Sequence, residues 1–252
     1  MHRKDVDGTL ADTAPPGWQQ AVPVWARQIA RDGFARVAAS SLVGSDGLAG
    51  QWQEFRLLWD DLSPDEFLPE GQRSRLRRYG RMRAEPGPAG VSLAALPAAP
   101  FQQSADLMPL YGGQARAFAP IDAEVLASTT LRTIVSGDAI LAGAVTGKSR
   151  FLVGIHMIRV RADVGDCSMV TPEGIHRDGH NFIGMHLISR DACAGGDSVI
   201  HHPGNRVTRL CLTEPGESIL LDDQRVWHQV EPIRGMGKTG LRDMLIIDFD
   251  AI

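Results

Sequence analysis

FIGMHLISRDACAGGDSVIHHPGNRVTRLCLTEPGESILLDDQRVWHQV, residues 182–230, is a stretch in which short apolar runs alternate with turn residues. Gly, Pro and Asp separate the runs, which is typical of short strands joined by turns. Strands of this length at this spacing predict a β-sandwich or barrel. The apolar runs cover residues 182–188, 198–201, 207–212, 218–221 and 226–230.

The sequence on either side of this stretch extends the pattern. Apolar runs at 151–160 and 241–249 predict two more strands, and no helix-length periodic segment lies between them. This argues against a parallel sheet with crossover helices. We predict a mainly β fold, a double-stranded β-helix (jelly roll), with a metal-binding core at 150–250.

The N-terminal part of the chain predicts helices. Apolar residues recur at helical spacing in 18–31 and again in 48–59. Gly33 ends the first helix, and 34–38 has the pattern of a short strand. We expect the helices to pack against the jelly roll, so that residues 1–252 form a single domain.

Two segments of the chain are expected to be mobile. Residues 1–15 have the composition of a flexible tail. Residues 84–100 are rich in small residues and prolines, and we predict a lid over an active site there.

The composition limits the class of protein. With 26 basic and 30 acidic residues the net charge is −4, which argues against a nucleic-acid partner. No apolar run of about 18 residues and no apolar leader is present, so we expect a cytoplasmic protein with no membrane partner. Three cysteines without CxxC spacing argue against a disulfide framework or a structural zinc site.

Histidine is the residue that points to chemistry, because six of the eight histidines lie between 176 and 228. His176 and Asp178 would share one face of a strand, although chance alone predicts about one such triplet in this composition. His228 follows 50 residues after Asp178, inside a predicted strand. Two histidines and one carboxylate form the facial triad of non-haem Fe(II) oxygenases.

Arg242 adds a second signal, 14 residues after His228 at the start of a predicted buried strand. A guanidinium there needs an anion, and its planar fork fits a carboxylate. The far carboxylate of 2-oxoglutarate is such a group. The alternative for Arg242 is a surface position at the end of the strand.

Four segments together resemble a known family, the bacterial 2-oxoglutarate/Fe(II) dioxygenases that hydroxylate free L-amino acids, of the L-isoleucine 4-hydroxylase type. The most specific is TPEGIHRDGHNFIGMHLISRDACAGGDSVIH at 171–201. The others are RLRRYGRM at 75–82, QQSADLMPLYGGQARAFAPI at 102–121 and GLRDMLIIDF at 240–249. The resemblance spans roughly residues 72–250.

This resemblance implies a jelly roll, iron bound by His176, Asp178 and His228, and 2-oxoglutarate paired with Arg242. It implies Fe(II), 2-oxoglutarate and O2 as reactants, with ascorbate helpful in vitro. The implied reaction hydroxylates an unactivated C–H bond of a free L-amino acid or a cyclic imino acid and releases succinate and CO2. The implied partner is therefore a small-molecule amino acid.

Substrate contacts are predicted at three positions. Gln103 and Arg116 lie in a family-like segment and would hold the carboxylate of an amino acid, although Arg116 fits a structural ion pair equally well. Phe182 would line the pocket near the iron, with a place in the core as the alternative. His180 would contact a metal ligand, and the basic stretch 74–83 is either a solvated surface or an anion-binding site.

Two other functions fit the same sequence. One is a cupin-type metalloenzyme that needs no 2-oxoglutarate and so no Arg242. The other is a non-catalytic jelly-roll binding module whose histidines and aspartate lie on the surface.

Overall fold

The structure, a computed structural model, describes residues 11–43, 48–69, 72–108 and 110–252, and it is built around a large antiparallel sheet. The strand β4 (Gly90–Ala95) forms a hairpin with β3 at one side of it. The other strands follow in the order β1 (Phe34–Val37), β11 (Ser218–Leu221), β7 (Phe182–Asp191), β14 (Gly240–Ala251), β5 (Phe151–Ala162), β3 (Arg75–Gly87) and β2 (Ser63–Pro64).

Two three-stranded sheets pack against one face of the large sheet. Ile200 and Val226 lie in one apolar cluster with residues of β7 and β11, and Ile233 packs with Val160 of β5. Two layers of antiparallel strands make the predicted mainly β jelly-roll fold, which is confirmed. The small sheets contain β10 (Val207–Leu210), β9 (Ser198–His201) and β12 (Trp227–Val230), and β6 (Cys167–Ser168), β13 (Ile233–Gly235) and β8 (Cys193–Gly195).

Helices cover the opposite face of the large sheet. The first predicted helix is confirmed, and Gly33 ends it with φ 80° and a hydrogen bond to the Ile29 carbonyl. The second is shorter than predicted and continues as a 3₁₀ turn, Leu58–Asp61. No helix of the described residues is long and apolar enough to cross a membrane. The helices are α1 (Trp18–Asp32), α2 (Ala39–Val43), α3 (Ala49–Leu57), α4 (Ala123–Ala127) and α5 (Thr129–Thr146).

The side chains of β14 point alternately into the hydrophobic core and into a cavity on the other face of the sheet. Leu245, Ile247 and Phe249 point into the core beneath the helices. Arg242 and Asp248 point the other way, into a cavity between the large sheet and the small ones. Because successive side chains face opposite sides of a strand, one strand serves both the core and the cavity.

The two segments expected to be mobile are held in place where the structure describes them. Residues 1–10 of the predicted tail lie outside the described residues, but Asp12 pairs with the backbone of Val91 and with Arg132. Residues 84–95 form most of the β3–β4 hairpin, with Ala84 and Val91 fully buried. These contacts argue against mobility there, and the tail to residue 15 and the lid over 84–100 stay predictions.

Candidate active site

The cavity and its open mouth together contain about 900 Å³ of empty space. Side chains of β3, β5, β12 and β14 line it, together with two loops at 101–116 and 170–180. β3 supplies part of the cavity wall. The cavity therefore includes residues outside 150–250, the range predicted for the metal-binding core.

His176, Asp178 and His228 come together on one side of this cavity. Each offers one ligand atom, and these three atoms lie within 4.8 Å of one another. Nε2 of His176 is 3.7 Å from an Asp178 oxygen, and Nε2 of His228 is 3.4 Å from the other. The donor set of two imidazoles and one carboxylate fits Fe(II) and leaves coordination positions for small ligands.

The two histidines approach each other through an isolated backbone bridge between His176 and His228. Only His228 belongs to a regular strand, so the prediction that His176 and Asp178 share a strand face is wrong. Nδ1 of His176 donates to the Gly174 carbonyl at 2.9 Å, which leaves Nε2 free to bind a metal. Gly174 adopts φ 74°, a conformation that few residues other than glycine tolerate.

The carboxylate of Asp178 lies between the Gln103 amide and the rings of His176 and His228. The Gln103 amide donates to its Oδ1 at 2.6 Å. Burial alone would raise the pKa of Asp178, but the hydrogen bond from His228 and the charges of His176 and His180 lower it below its ordinary value. The group is thus ready to bind a cation as a carboxylate.

A second buried carboxylate, Asp223, fixes the backbone of the ligand loop. Its oxygens accept hydrogen bonds from the N–H groups of Asp178, Gly179 and His180 at 3.3, 2.7 and 3.1 Å. Asp223 is fully buried and lies 3.8 Å from Nδ1 of His228. Sequence reasoning missed it, because an aspartate after an apolar strand is an ordinary turn residue.

Arg242 lies deep in the cavity without a counter-ion. Its Nε has no hydrogen-bond partner, and no carboxylate of the described residues pairs with it. Burial and the nearby Arg190 lower its pKa to about 10, so the guanidinium remains charged at neutral pH. A Cβ on Gly196 would come within 3.2 Å of the Arg242 side chain, which explains the glycine turn there. A buried charge of this kind calls for an anionic ligand.

Three more arginines form what we call the basic wall of the cavity: Arg75, Arg77 and Arg116, all buried. The interpretation of 74–83 as a solvated face is wrong for Arg75 and Arg77, because alternate residues of β3 point inward. Arg75 is neutralised by Asp65 at 2.7 Å. Burial and the other two arginines lower the pKa of Arg77 to about 9.

The predicted substrate residues Gln103 and Arg116 both line the cavity and hydrogen-bond to each other. Arg116 stacks on Tyr111 and forms no ion pair with the described residues, so its proposed structural ion pair is not found. Phe182 lies on the helix side of β7 against Phe249, and the prediction that it lines the cavity is wrong.

His156 and His180 extend the polar lining of the cavity. His156 accepts from Arg77 at 2.5 Å and donates to Asp248 at 2.6 Å. His180 donates to Asp250 at 3.0 Å. Asp248 and Asp250 raise the pKa of His180 to about 10 against the opposing effect of burial.

Comparison with known proteins finds a curated relative of this chain. The chain is 27% identical to an L-isoleucine-4-hydroxylase of Bacillus thuringiensis over 144 residues, which are 55% of this chain and 60% of that protein. The chain thus spans about 60% of the length of the curated relative it matches.

Solved structures show the same fold. A bsmA homologue from Methylobium petroleophilum superposes with a TM-score of 0.82 at 22% identity, covering 100% of this chain and 97% of the other. IDO from Bacillus thuringiensis gives 0.77 at 20% identity, covering 92% and 99%. The dioxygenase TqaL gives 0.67 at 15% identity, covering 94% and 90%.

A family model described as 2OG-Fe dioxygenase matches residues 56–248, which contain the candidate triad and Arg242. Members of this family use Fe(II), 2-oxoglutarate and O2. Since the match covers more than half of the sequence, the chain belongs to the 2OG-Fe dioxygenase family and is an oxygenase enzyme.

Proposed function

We propose that this enzyme hydroxylates an unactivated C–H bond of a free L-amino acid or a cyclic imino acid, with release of succinate and CO2. The observation that carries the proposal is the pair of cationic regions in one cavity. Arg242 lies on β14 with no counter-ion among the described residues, and the basic wall lies on β3 and in the 101–116 loop. Each region can bind one carboxylate. Arg242 would take that of the co-substrate, and the basic wall would take that of the substrate. The name of the curated relative supports the same reaction class.

In this proposal His176, Asp178 and His228 hold Fe(II), and Arg242 pairs with the far carboxylate of 2-oxoglutarate. Bound iron, together with 2-oxoglutarate and O2, supplies the oxidising chemistry. The protein contributes the positions: Gln103 fixes the Asp178 carboxylate, and Gly174 fixes the His176 ring. The candidate triad, Arg242 and the basic wall all line this one cavity.

The substrate carboxylate is assigned to Arg116 of the basic wall and to Gln103, which hydrogen-bonds to it. The Nε atoms of Arg77 and Arg116 are buried and lack hydrogen-bond partners among the described residues. Both guanidinium groups stack on Phe118, at 4.0 and 5.5 Å from the ring centre. A substrate carboxylate would supply the missing acceptors and the missing negative charge.

A turnover panel tests this proposal. The protein is incubated with Fe(II), ascorbate, 2-oxoglutarate and single proteinogenic or cyclic amino acids, while succinate and product masses are followed. We expect one amino acid or a small group of them to gain 16 Da with a matching amount of succinate. If the protein binds Fe(II) but no amino acid in the panel gains oxygen, the proposed substrate class is wrong.

The role of Arg242 has its own test, the conservative substitution Arg242→Lys. Lysine keeps the charge but loses the planar fork, so we expect the KM for 2-oxoglutarate to rise by about 10- to 100-fold. Arg234→Lys, at an exposed position of β13, is the control. An unchanged KM in the Arg242 variant would contradict the assignment.

A further inference from the structure

Glu173 is a buried carboxylate in the cavity for which the proposed chemistry has no use. The residue lies three positions before His176, and only 9% of its side chain is exposed. Its Oε2 has no hydrogen-bond partner among the described residues, and its Oε1 is 3.7 Å from Nε2 of His176. Burying a carboxylate without hydrogen-bond donors costs free energy of folding. A ligand that brings N–H or O–H donors to this position would remove that cost.

Glu173 lies next to the candidate metal ligands but outside their cluster. The cluster of potential ligand atoms within 4.8 Å of one another contains His176, Asp178 and His228 but not Glu173. Glu173 therefore lies beside the candidate triad rather than in it. Its Oε2 receives no hydrogen bond from the described residues.

The neighbours of Glu173 indicate the charge of that molecule. Arg75 is already paired with Asp65, and no arginine of the described residues forms an ion pair with Glu173. Arg75, Tyr111 and Arg116 each carry one buried polar atom without a partner among the described residues, and all three line the same cavity as Glu173. One region thus holds donors that lack an acceptor and an acceptor that lacks a donor. A zwitterion satisfies both.

We propose that Glu173 binds the ammonium group of the substrate, while the basic wall binds its carboxylate. This inference rests on the proposed function and deepens it, because it makes a free, positively charged amine a requirement for binding. A primary ammonium offers three N–H donors and a cyclic secondary ammonium offers two, so both substrate types fit. A 2-hydroxy acid or an N-acylated amino acid lacks the positive charge that Glu173 selects.

The test measures binding, by calorimetry, to protein loaded with Mn(II) and 2-oxoglutarate in the absence of O2. The probes are the amino acid with the highest turnover in the panel, its 2-hydroxy acid and its N-acetyl derivative. We expect wild-type protein to bind the amino acid at least about 10-fold more tightly than either analogue. Equal affinity for the amino acid and the hydroxy acid would overturn the inference without any variant.

The variant Glu173→Gln keeps the shape of the side chain and removes its charge. We expect it to weaken binding of the amino acid by about 10- to 100-fold and to leave binding of the 2-hydroxy acid within about 3-fold. Mn(II) affinity without substrate should stay within about 3-fold of wild type. Glu124→Gln, an exposed position in α4, is the matched control.

With this variant, two further results would contradict the inference and leave the proposed function standing. One is wild-type amino-acid binding by Glu173→Gln. The other is a loss of Mn(II) affinity beyond about 10-fold in this variant, which would make Glu173 a metal ligand instead. Failure of every amino acid in the turnover panel is a different outcome, because it removes the proposed function itself.

Discussion

Asp223 lies outside the candidate triad, yet it fixes the position of two segments that carry candidate metal ligands. Its carboxylate accepts three backbone N–H groups from the loop that carries Asp178, and it lies beside the ring of His228. It therefore connects two segments of the chain that supply potential ligands. Outer partners of this kind orient the groups that bind a metal.

We predict that Asp223→Ala weakens metal binding by about 10- to 100-fold, because the ligand loop loses its three acceptor contacts. The measurement is titration of the metal-free protein with Mn(II), followed by electron paramagnetic resonance. Asp222→Ala is the control, because that carboxylate accepts from the Gln224 N–H and not from the ligand loop. Equal Mn(II) affinity in the two variants would mean that the loop holds its shape without Asp223.

His156 shows how a buried histidine makes stability depend on pH. Its Nδ1 accepts from Arg77 and its Nε2 donates to Asp248, so the neutral ring is fully bonded. Burial and the charge of Arg77 lower its pKa from 6.5 to about 4. Between these values the unfolded chain binds a proton that the folded protein does not, so stability falls as the pH falls through this window.

We predict that His156→Gln reduces this loss, since glutamine does not titrate and its amide can replace both hydrogen bonds. Between pH 7 and pH 5 the wild type should lose about 2 kcal/mol more than the variant. The measurement is urea unfolding of metal-free protein at both pH values. Identical pH dependence of the two proteins would show that His156 takes up its proton at the same pH folded and unfolded.

Among the elements, α5 is joined to the large sheet by a buried polar contact. His186 of β7 donates to Asp138 of α5 at 2.8 Å, and its other nitrogen lies 2.8 Å from the Ser218 hydroxyl. All three side chains are fully buried. A Cβ on Gly184 would come within 2.1 Å of the Asp138 carboxylate, which explains the glycine in mid-strand.

We predict that His186→Leu destabilises the fold by about 3–5 kcal/mol, because it leaves Asp138 buried without its partner. The double variant with Asp138→Leu should be more stable than the sum of the two single effects. Chemical unfolding of all four proteins gives this coupling. Purely additive effects would contradict a direct bond between α5 and β7. Metal affinity should not change, since the contact lies on the helix side of the sheet.

The same elements show what the sequence could predict. Strands β5, β7, β9, β11, β12 and β14 follow the predicted apolar runs closely, because bounded apolar runs are a strong strand signal. The helix α5 was not predicted, since its Thr, Val, Ile and Gly residues have low helix propensity and burial overrides that preference. In β7 both faces are apolar, so the sequence could not tell that Phe182 points away from the cavity.

At the site, the sequence could indicate a histidine–carboxylate group, Arg242, Gln103 and Arg116, but not several other buried polar groups. Arg75, Arg77, Glu173 and Asp223 have ordinary surface residue types, and only the packing of β3 and the loops brings them inside. Family membership removes the non-catalytic alternative that the sequence left open, and its use of 2-oxoglutarate argues against a cupin-type enzyme without that co-substrate.

For the molecule as a whole, the site collects groups from distant parts of the chain. The ligand loop at 170–180, β12 and β14 each supply one part of the proposed iron and 2-oxoglutarate sites. Ligands that bind only when these parts are assembled stabilise the folded state by mass action. The dependence of 2-oxoglutarate binding on the metal can therefore be measured from stability.

We predict that Mn(II) at 100 times its dissociation constant raises the melting temperature by about 5–10 °C, equivalent to about 2.7 kcal/mol. 2-Oxoglutarate should add a further increase with Mn(II) present and almost none with EDTA, because Arg242 alone offers only one of its two contacts. In Arg242→Lys the increase from Mn(II) should persist and the increase from 2-oxoglutarate should shrink. If 2-oxoglutarate stabilised the metal-free protein as much as the loaded one, its binding would not depend on the metal, and the assignment of His176, Asp178 and His228 as its anchor would be wrong.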